Sequence, residues 1–244
     1  MKKLFLILCA LVLCSSSIAG TKDIIKVIAR KNAAVVYDYG PEDFETTGTP
    51  TGDGTWQTPA EVGTATVDYD HTGTGLINGS ESLEMDDSAN DGYAEGRWRI
   101  DTAYATTMYT AFKMRFIGAI NSSDSFHDTM ADGGNELSQF RIDGSGHWEC
   151  LNGASSDPDT SGTIDPAVGT LYYIWTKTVE GTGANGVTQL WVSLTGTKPG
   201  SPICSVENGT DTSANPNEAQ FQADQGAILI VDDIIISETI IGNQ

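Results

Sequence analysis

The chain has 244 residues, 39% of them hydrophobic and 8% aromatic, with 33 acidic side chains against 13 basic ones and a formal net charge of -20. So acidic a surface repels nucleic acid and anionic membranes over about one Debye length, roughly 8 Å in physiological salt, and neither is an expected partner. Five Trp, eight Tyr and several Ile, Val and Leu runs supply a core of ordinary size, which argues against a disordered chain and for one folded domain.

Lys2 and Lys3 precede an apolar run from Leu4 to Cys14, then Ser15, Ser16, Ser17 and a small-residue site at Ala19. This pattern predicts a signal peptide over residues 1–19 and a secreted or cell-surface mature protein. The run is too short for a permanent membrane-spanning helix, and nothing later supplies a second candidate. The rival is a lipid anchor on Cys14: Leu11-Val12-Leu13-Cys14 loosely resembles a bacterial lipobox, although Leu13 is larger than the Gly, Ala or Ser that pattern takes. Losing Lys2 and Lys3 moves the formal charge from -20 to -22 and leaves eleven basic residues.

Residues 20–40 differ from the rest, joining Ile24, Ile25, Val27 and Ile28 to Lys22, Lys26, Arg30 and Lys31 before Gly40-Pro41. They read as an N-terminal edge strand, or as an arm for self-assembly that docks on an acidic neighbour with an open sheet edge.

From Asp43 onward, short strands recur between turn signals. Tyr93 to Ile100 alternates Tyr93, Glu95, Arg97 and Arg99 against Ala94, Gly96, Trp98 and Ile100, and Tyr109 to Ile117 sets Tyr109, Ala111, Lys113 and Arg115 against Thr110, Phe112, Met114 and Phe116. Each has one core face and one wet face. Leu137 to Ile142 and His147 to Leu151 flank Asp143-Gly144-Ser145-Gly146, whose glycines suit a hairpin turn. Further strand-like runs are Leu171 to Val179, Gln189 to Thr195 and Ala227 to Ser237. The expected fold is an all-β, antiparallel two-sheet β-sandwich of jelly-roll type over residues 41–244. Cys150 and Cys204 remain once the leader is gone; they form a disulfide or stay as two buried thiols, and spacing leaves both open.

In order and texture the chain resembles the concanavalin A-like lectin/glucanase superfamily, in the style of laminin-G-type jelly rolls. The resemblance rests on Asp43-Phe44-Glu45, Ser80-Glu81-Ser82-Leu83-Glu84-Met85, His147-Trp148-Glu149, Gly169-Thr170-Leu171-Tyr172-Tyr173, Gln189-Leu190-Trp191-Val192 and Val231-Asp232-Asp233-Ile234. It implies a carbohydrate-binding domain or a polysaccharide-active enzyme, although fold alone licenses neither. The glucanases place Glu-x-Asp-x-x-Glu on one strand; here Glu84-Met85-Asp86-Asp87-Ser88-Ala89 has Ala89 where the acid/base Glu belongs, which argues against retaining glycosidase chemistry. Jelly-roll polysaccharide lyases are the stronger enzyme alternative: Arg97, Arg99, Gln139, Arg141, His147 and Tyr173 supply the residue types, but not the motifs, for neutralising a uronate and moving a proton. The resemblance also implies a structural calcium, with Glu45 and Asp232 or Asp233 as candidate ligands.

Five basic residues (Arg97, Arg99, Lys113, Arg115 and Arg141) fall on predicted wet faces beside Tyr93, Tyr109 and Gln139, with His147 at the hairpin. If these strands share a sheet, they form a basic, aromatic patch able to hold a glycan by stacking and bidentate Arg contacts. The plain alternative is cross-strand ion pairing with Glu95 and nearby acids. The leading expectation is a secreted noncatalytic carbohydrate-binding or adhesion domain that recognises a polysaccharide. A polysaccharide-active enzyme comes second, and an extracellular structural or filament subunit third.

Overall fold

The computed structural model describes residues 39–42, 44, 55–100, 104, 106–120, 125–131, 134–153, 155–159, 164–181, 184–210 and 214–244. The chain divides into two units, Met1–Val36 and Tyr37–Gln244, and all described residues belong to the second. The expected signal peptide, the Cys14 lipid anchor and all of the basic N-terminal arm before residue 39 therefore lie outside the described residues, as does Glu45.

The described secondary structure is strand throughout: β1 (Tyr39–Glu42), β2 (Thr55–Trp56), β3 (Ala60–Val62), β4 (Thr66–His71), β5 (Ser82–Asp86), β6 (Tyr93–Arg99), β7 (Thr107–Phe116), β8 (Ser125–Ala131), β9 (Asn135–Ile142), β10 (Trp148–Asn152), β11 (Ser155–Pro158), β12 (Tyr172–Val179), β13 (Ala184–Ser193), β14 (Cys204–Thr210), β15 (Pro216–Asp224) and β16 (Ile228–Ser237). Two sheets form. The A sheet runs β14-β13-β12-β7-β16-β5-β4, with β1 also on β16; the B sheet runs β11-β10-β9-β8-β15-β6-β2, with β3 also on β6. All pairings are antiparallel. The expected two-sheet jelly roll is the observed fold.

Alternation explains the layers. Ala94 and Trp98 on β6, Ala219, Phe221 and Ala223 on β15, and Phe140 and Ile142 on β9 point inward from the B sheet; Phe112, Met114, Ile174, Val192, Leu229 and Val231 meet them from the A sheet in one core. Trp98 and Trp148 are core residues, and Trp56 stacks on Trp98 with ring centroids 5.8 Å apart. The β9-β10 hairpin turns as expected, with Gly146 at φ 85°, a conformation that glycine adopts without strain. Cys150 on β10 and Cys204 on β14 form a disulfide, Cα atoms 5.9 Å apart, and so join one sheet to the other. Among the described residues no helix is long and apolar enough to cross a membrane.

Candidate functional site

The residues expected to form one patch are divided between the sheets. Tyr93, Arg97 and Arg99 stand on β6 and Gln139 and Arg141 on β9, all in the B sheet, whereas Tyr109, Lys113 and Arg115 stand on β7 in the A sheet. Period-two alternation assigns a residue to a face of its strand but says nothing about which sheet that strand enters. His147 lies in the β9-β10 turn, its Nδ1 3.6 Å from the Asp143 carboxylate.

On the outer face of the B sheet, Arg97 stands opposite Gln220, Gln220 opposite Asp128, Asp128 opposite Gln139, and Gln139 opposite Leu151. One row of side chains thus crosses five strands, β6, β15, β8, β9 and β10. Beside it, Glu218 lies between Arg99 and Met130, and Gln222 lies opposite Glu95.

Each arginine on this face has a glutamate. Arg97 bonds Glu95, and its Nε lies 3.9 Å from Glu218; Arg99 reaches Glu218 through Nε at 3.0 Å and through an Nη atom at 2.9 Å; Arg141 Nε donates to Glu149 at 2.6 Å. The acids lie deep, at 8% exposure for Glu95, 1% for Glu218 and 6% for Glu149, with the arginines above them. The cross-strand pairing weighed as the plain alternative is therefore present, and the carboxylates are buried instead of solvated.

Asp128 is buried between Ser125, whose hydroxyl donates to it at 2.8 Å, and Gln220, whose amide donates at 3.1 Å. Burial pushes its carboxyl well above the usual carboxylate range, with the charge on Glu136 adding to the shift. The other amide atom of Gln220, Oε1, is buried with no hydrogen-bond partner, as are Glu218 Oε1 and Arg97 Nε nearby. A buried acceptor without a donor is costly and calls for a polar ligand or water. Glu218, Gln220 and Asp128 are absent from the residues expected from sequence, although Glu218, Gln220, Gln222 and Asp224 alternate with Ala219, Phe221 and Ala223 in a legible strand pattern.

His127, on the same strand as Asp128, points the other way. It sits in the core with its ring stacked on Phe140 and Phe221, and its Nδ1 donates to the Gln220 carbonyl at 2.8 Å. Burial pushes its pKa down to about 3, so it is a neutral core group with no access to the outer face.

The outer face of the A sheet is occupied by the chain itself. Lys113 pairs with Asp233, and its ammonium lies 5.7 Å from the Tyr173 ring centroid. Arg115 donates to the carbonyls of Gly75 and Leu76 at 3.0 and 3.1 Å, fastening that loop to the sheet. Tyr109 packs on a second apolar cluster of Ala111, Trp175, Trp191, Ile235 and Ile241. The C-terminal segment covers this cluster: Trp175 Nε1 donates to the Gly242 carbonyl at 2.8 Å and Gln244 N to the Gly196 carbonyl at 3.0 Å. Tyr109, Lys113 and Arg115 are thereby engaged in holding the fold.

Of the candidate calcium ligands, Asp232 is buried and accepts bonds from Asn78 N, the Ser82 hydroxyl and Asp233 N, while Asp233 takes its counter-charge from Lys113 and a bond from the Asn78 amide at 2.6 Å. Burial raises the Asp232 pKa to about 7. In the turn after β5, Asp86 accepts from Ser88 N and Asp91 from Thr64 N, so these carboxylates are engaged by backbone amides. Among the described residues no three His, Cys, Asp or Glu side chains converge as a metal-ligand group.

No family model matches the chain, and no curated protein matches its sequence. Solved structures do match. An endo-β-1,4-glucuronan lyase from the fungus Trichoderma reesei superposes with a TM-score of 0.54 at 12% identity, over 75% of this chain and 91% of that one. The globular domain of T. cruzi calreticulin gives 0.54 at 10% identity, over 84% and 89%. A cellulose-induced protein gives 0.51 at 16% identity, over 79% and 94%. A sialidase also matches, with a TM-score of 0.49 at 15% identity; 66% of this chain aligns with it and spans 16% of the sialidase's length. At these identities the likeness is one of fold, the antiparallel two-sheet jelly roll.

Proposed function

We propose that this chain is an exported, noncatalytic polysaccharide-binding domain that holds its glycan along the outer face of the B sheet. The observation that carries this reading is the row Arg97, Gln220, Asp128, Gln139 and Leu151. At about 4.8 Å per strand, the row runs roughly 19 Å, a length suited to an oligosaccharide segment more than to one sugar. Its donors and acceptors are held rigid by buried partners, so little conformational entropy is lost on binding. The disulfide fits an oxidising compartment. A glucuronan lyase and a cellulose-induced protein among the fold neighbours agree with a glycan ligand without choosing binding over catalysis.

The second reading, a polysaccharide-active enzyme, draws on Asp128: a buried carboxyl raised well above its usual range, close to the Arg97-paired Glu95, is the kind of group that acid/base catalysis uses. Against a lyase of the expected type stands the placement of its residues: Arg97, Arg99, Gln139 and Arg141 stand in the B sheet, Tyr173 stands on β12 in the A sheet, and His147 lies in the β9-β10 turn 3.6 Å from the Asp143 carboxylate. Retention of the mature chain in gels containing soluble polysaccharides, run with calcium and with chelator and assayed for released sugar, separates the readings. Retention without products is expected. Product release moves the assignment to the enzyme, and no retention by any polymer rejects the binding reading.

A further inference from the structure

We propose that the outer face of the B sheet selects uncharged glycans by reading adjacent hydroxyl groups, and rejects polymers of uronic acid; this rests on the polysaccharide-binding reading above. Among the described residues, Arg97, Arg99 and Arg141 are the basic residues of this face, and none is an unmatched charge. Glu95, Glu218 and Glu149 lie directly beneath them, and Asp224 extends the same surface opposite Tyr93. Counting these residues, with Asp128 set aside, four acids stand against three arginines. A uronate brought to Arg97 meets the Glu95 and Glu218 carboxylates within the same few ångströms, and like charges at that range repel.

The hydrogen-bonding chemistry points the same way. The Arg97 and Glu95 side chains are 31% and 11% exposed, which places an N–H donor at the surface with a carboxylate acceptor just beneath it. A hydroxyl both donates and accepts, so two adjacent hydroxyls satisfy such a pair together. In a uronic acid unit an acceptor-only carboxylate stands where a neutral hexose carries its 6-hydroxyl, so that position loses its donor. Gln220 Oε1, buried and without a partner, needs a donor, which a hydroxyl carries and a carboxylate lacks. The chain's net charge of -20 adds a long-range bias against polyanions.

Affinity electrophoresis of the mature chain tests this, using neutral β-glucan, hydroxyethyl cellulose and glucomannan against polyglucuronate, alginate and polygalacturonate at low and high salt. Retardation by a neutral polymer is expected, little changed by salt, with polyuronates at least about tenfold weaker. Replacing the acids beneath the arginines, Glu95→Gln with Glu149→Gln, is expected to create polyuronate binding that high salt abolishes, with thermal melts confirming the variant's fold. Salt-sensitive retardation by polyuronates alone, lost in Arg97→Ala, overturns the selectivity and leaves the binding reading standing. Retardation by no polymer removes the binding reading and this inference with it.

Discussion

His127 and Gln220 are joined through the B sheet: the imidazole Nδ1 donates to the Gln220 carbonyl at 2.8 Å on the core side, while the Gln220 side chain bonds Asp128 on the outer face. The ring, packed on Phe140 and Phe221 and edge-on to Phe112, fixes the strand that presents the central residue of the polar row.

This predicts an acid-sensitive fold. The pKa of His127 falls from 6.5 to about 3 on folding, so the unfolded chain binds a proton at pH values where the folded chain does not. Its stabilising contribution is full above about pH 6.5 and is lost as pH falls toward 3, a few kcal/mol in total. Urea unfolding of wild type and His127→Gln across this window should show the difference between them shrinking as pH falls; a constant difference would contradict the assignment.

Asp232 acts in the opposite direction. With its pKa raised from 3.8 to about 7 by burial, the folded chain keeps a proton that the unfolded chain has lost, so stability from this group falls as pH rises through that range. Carbon-detected NMR titration of the side-chain carboxyls should find one aspartate titrating near neutrality, absent in Asp232→Asn. If the only titration lost in Asp232→Asn lies in the ordinary aspartate range, the assignment is refuted.

The disulfide closes a sequence separation of 54 residues. On the chain-entropy account it stabilises the fold by about 4 kcal/mol. Cys150→Ala with Cys204→Ala should lower the urea midpoint accordingly, while polysaccharide retention in native buffer persists, because neither sulfur is on the outer face.

Ile241, 1% exposed, seals the apolar cluster on the A sheet against Trp175 and Trp191. Ile241→Ala should cost about 2 kcal/mol, at the lower end for a buried Ile because a surface segment relaxes into the gap. Polysaccharide retention should be unchanged. A loss of retention in a folded Ile241→Ala protein would place the glycan on the A sheet.

Thr107–Phe116 is legible because Phe112, Met114 and Phe116 mark one face, and Tyr93–Arg99 because Arg97 and Arg99 alternate around Trp98; both alternations match the observed faces. Pro216–Asp224 was not singled out, because its inward set is Ala219, Phe221 and Ala223, two of them small, and its outward set is all polar. That omission hid Glu218 and Gln220, the centre of the candidate site. Alternation also could not show that β7 belongs to the other sheet, nor that the C-terminal segment folds back over Tyr109. Alternation puts Glu95 on a wet face, yet it is only 8% exposed, because Arg97 covers it across a two-residue spacing that a face assignment alone does not resolve.

The central claim is that glycan binds the outer face of the B sheet. The most direct measurement compares polysaccharide retention of Gln220→Ala and Gln139→Ala with that of Tyr173→Ala and Lys177→Ala on the A sheet, each checked by thermal melting. Loss of at least about tenfold in affinity in the first pair, with the second pair unchanged, is the predicted result. Full retention in a folded Gln220→Ala and Gln139→Ala, with loss in the A-sheet variants, would contradict it.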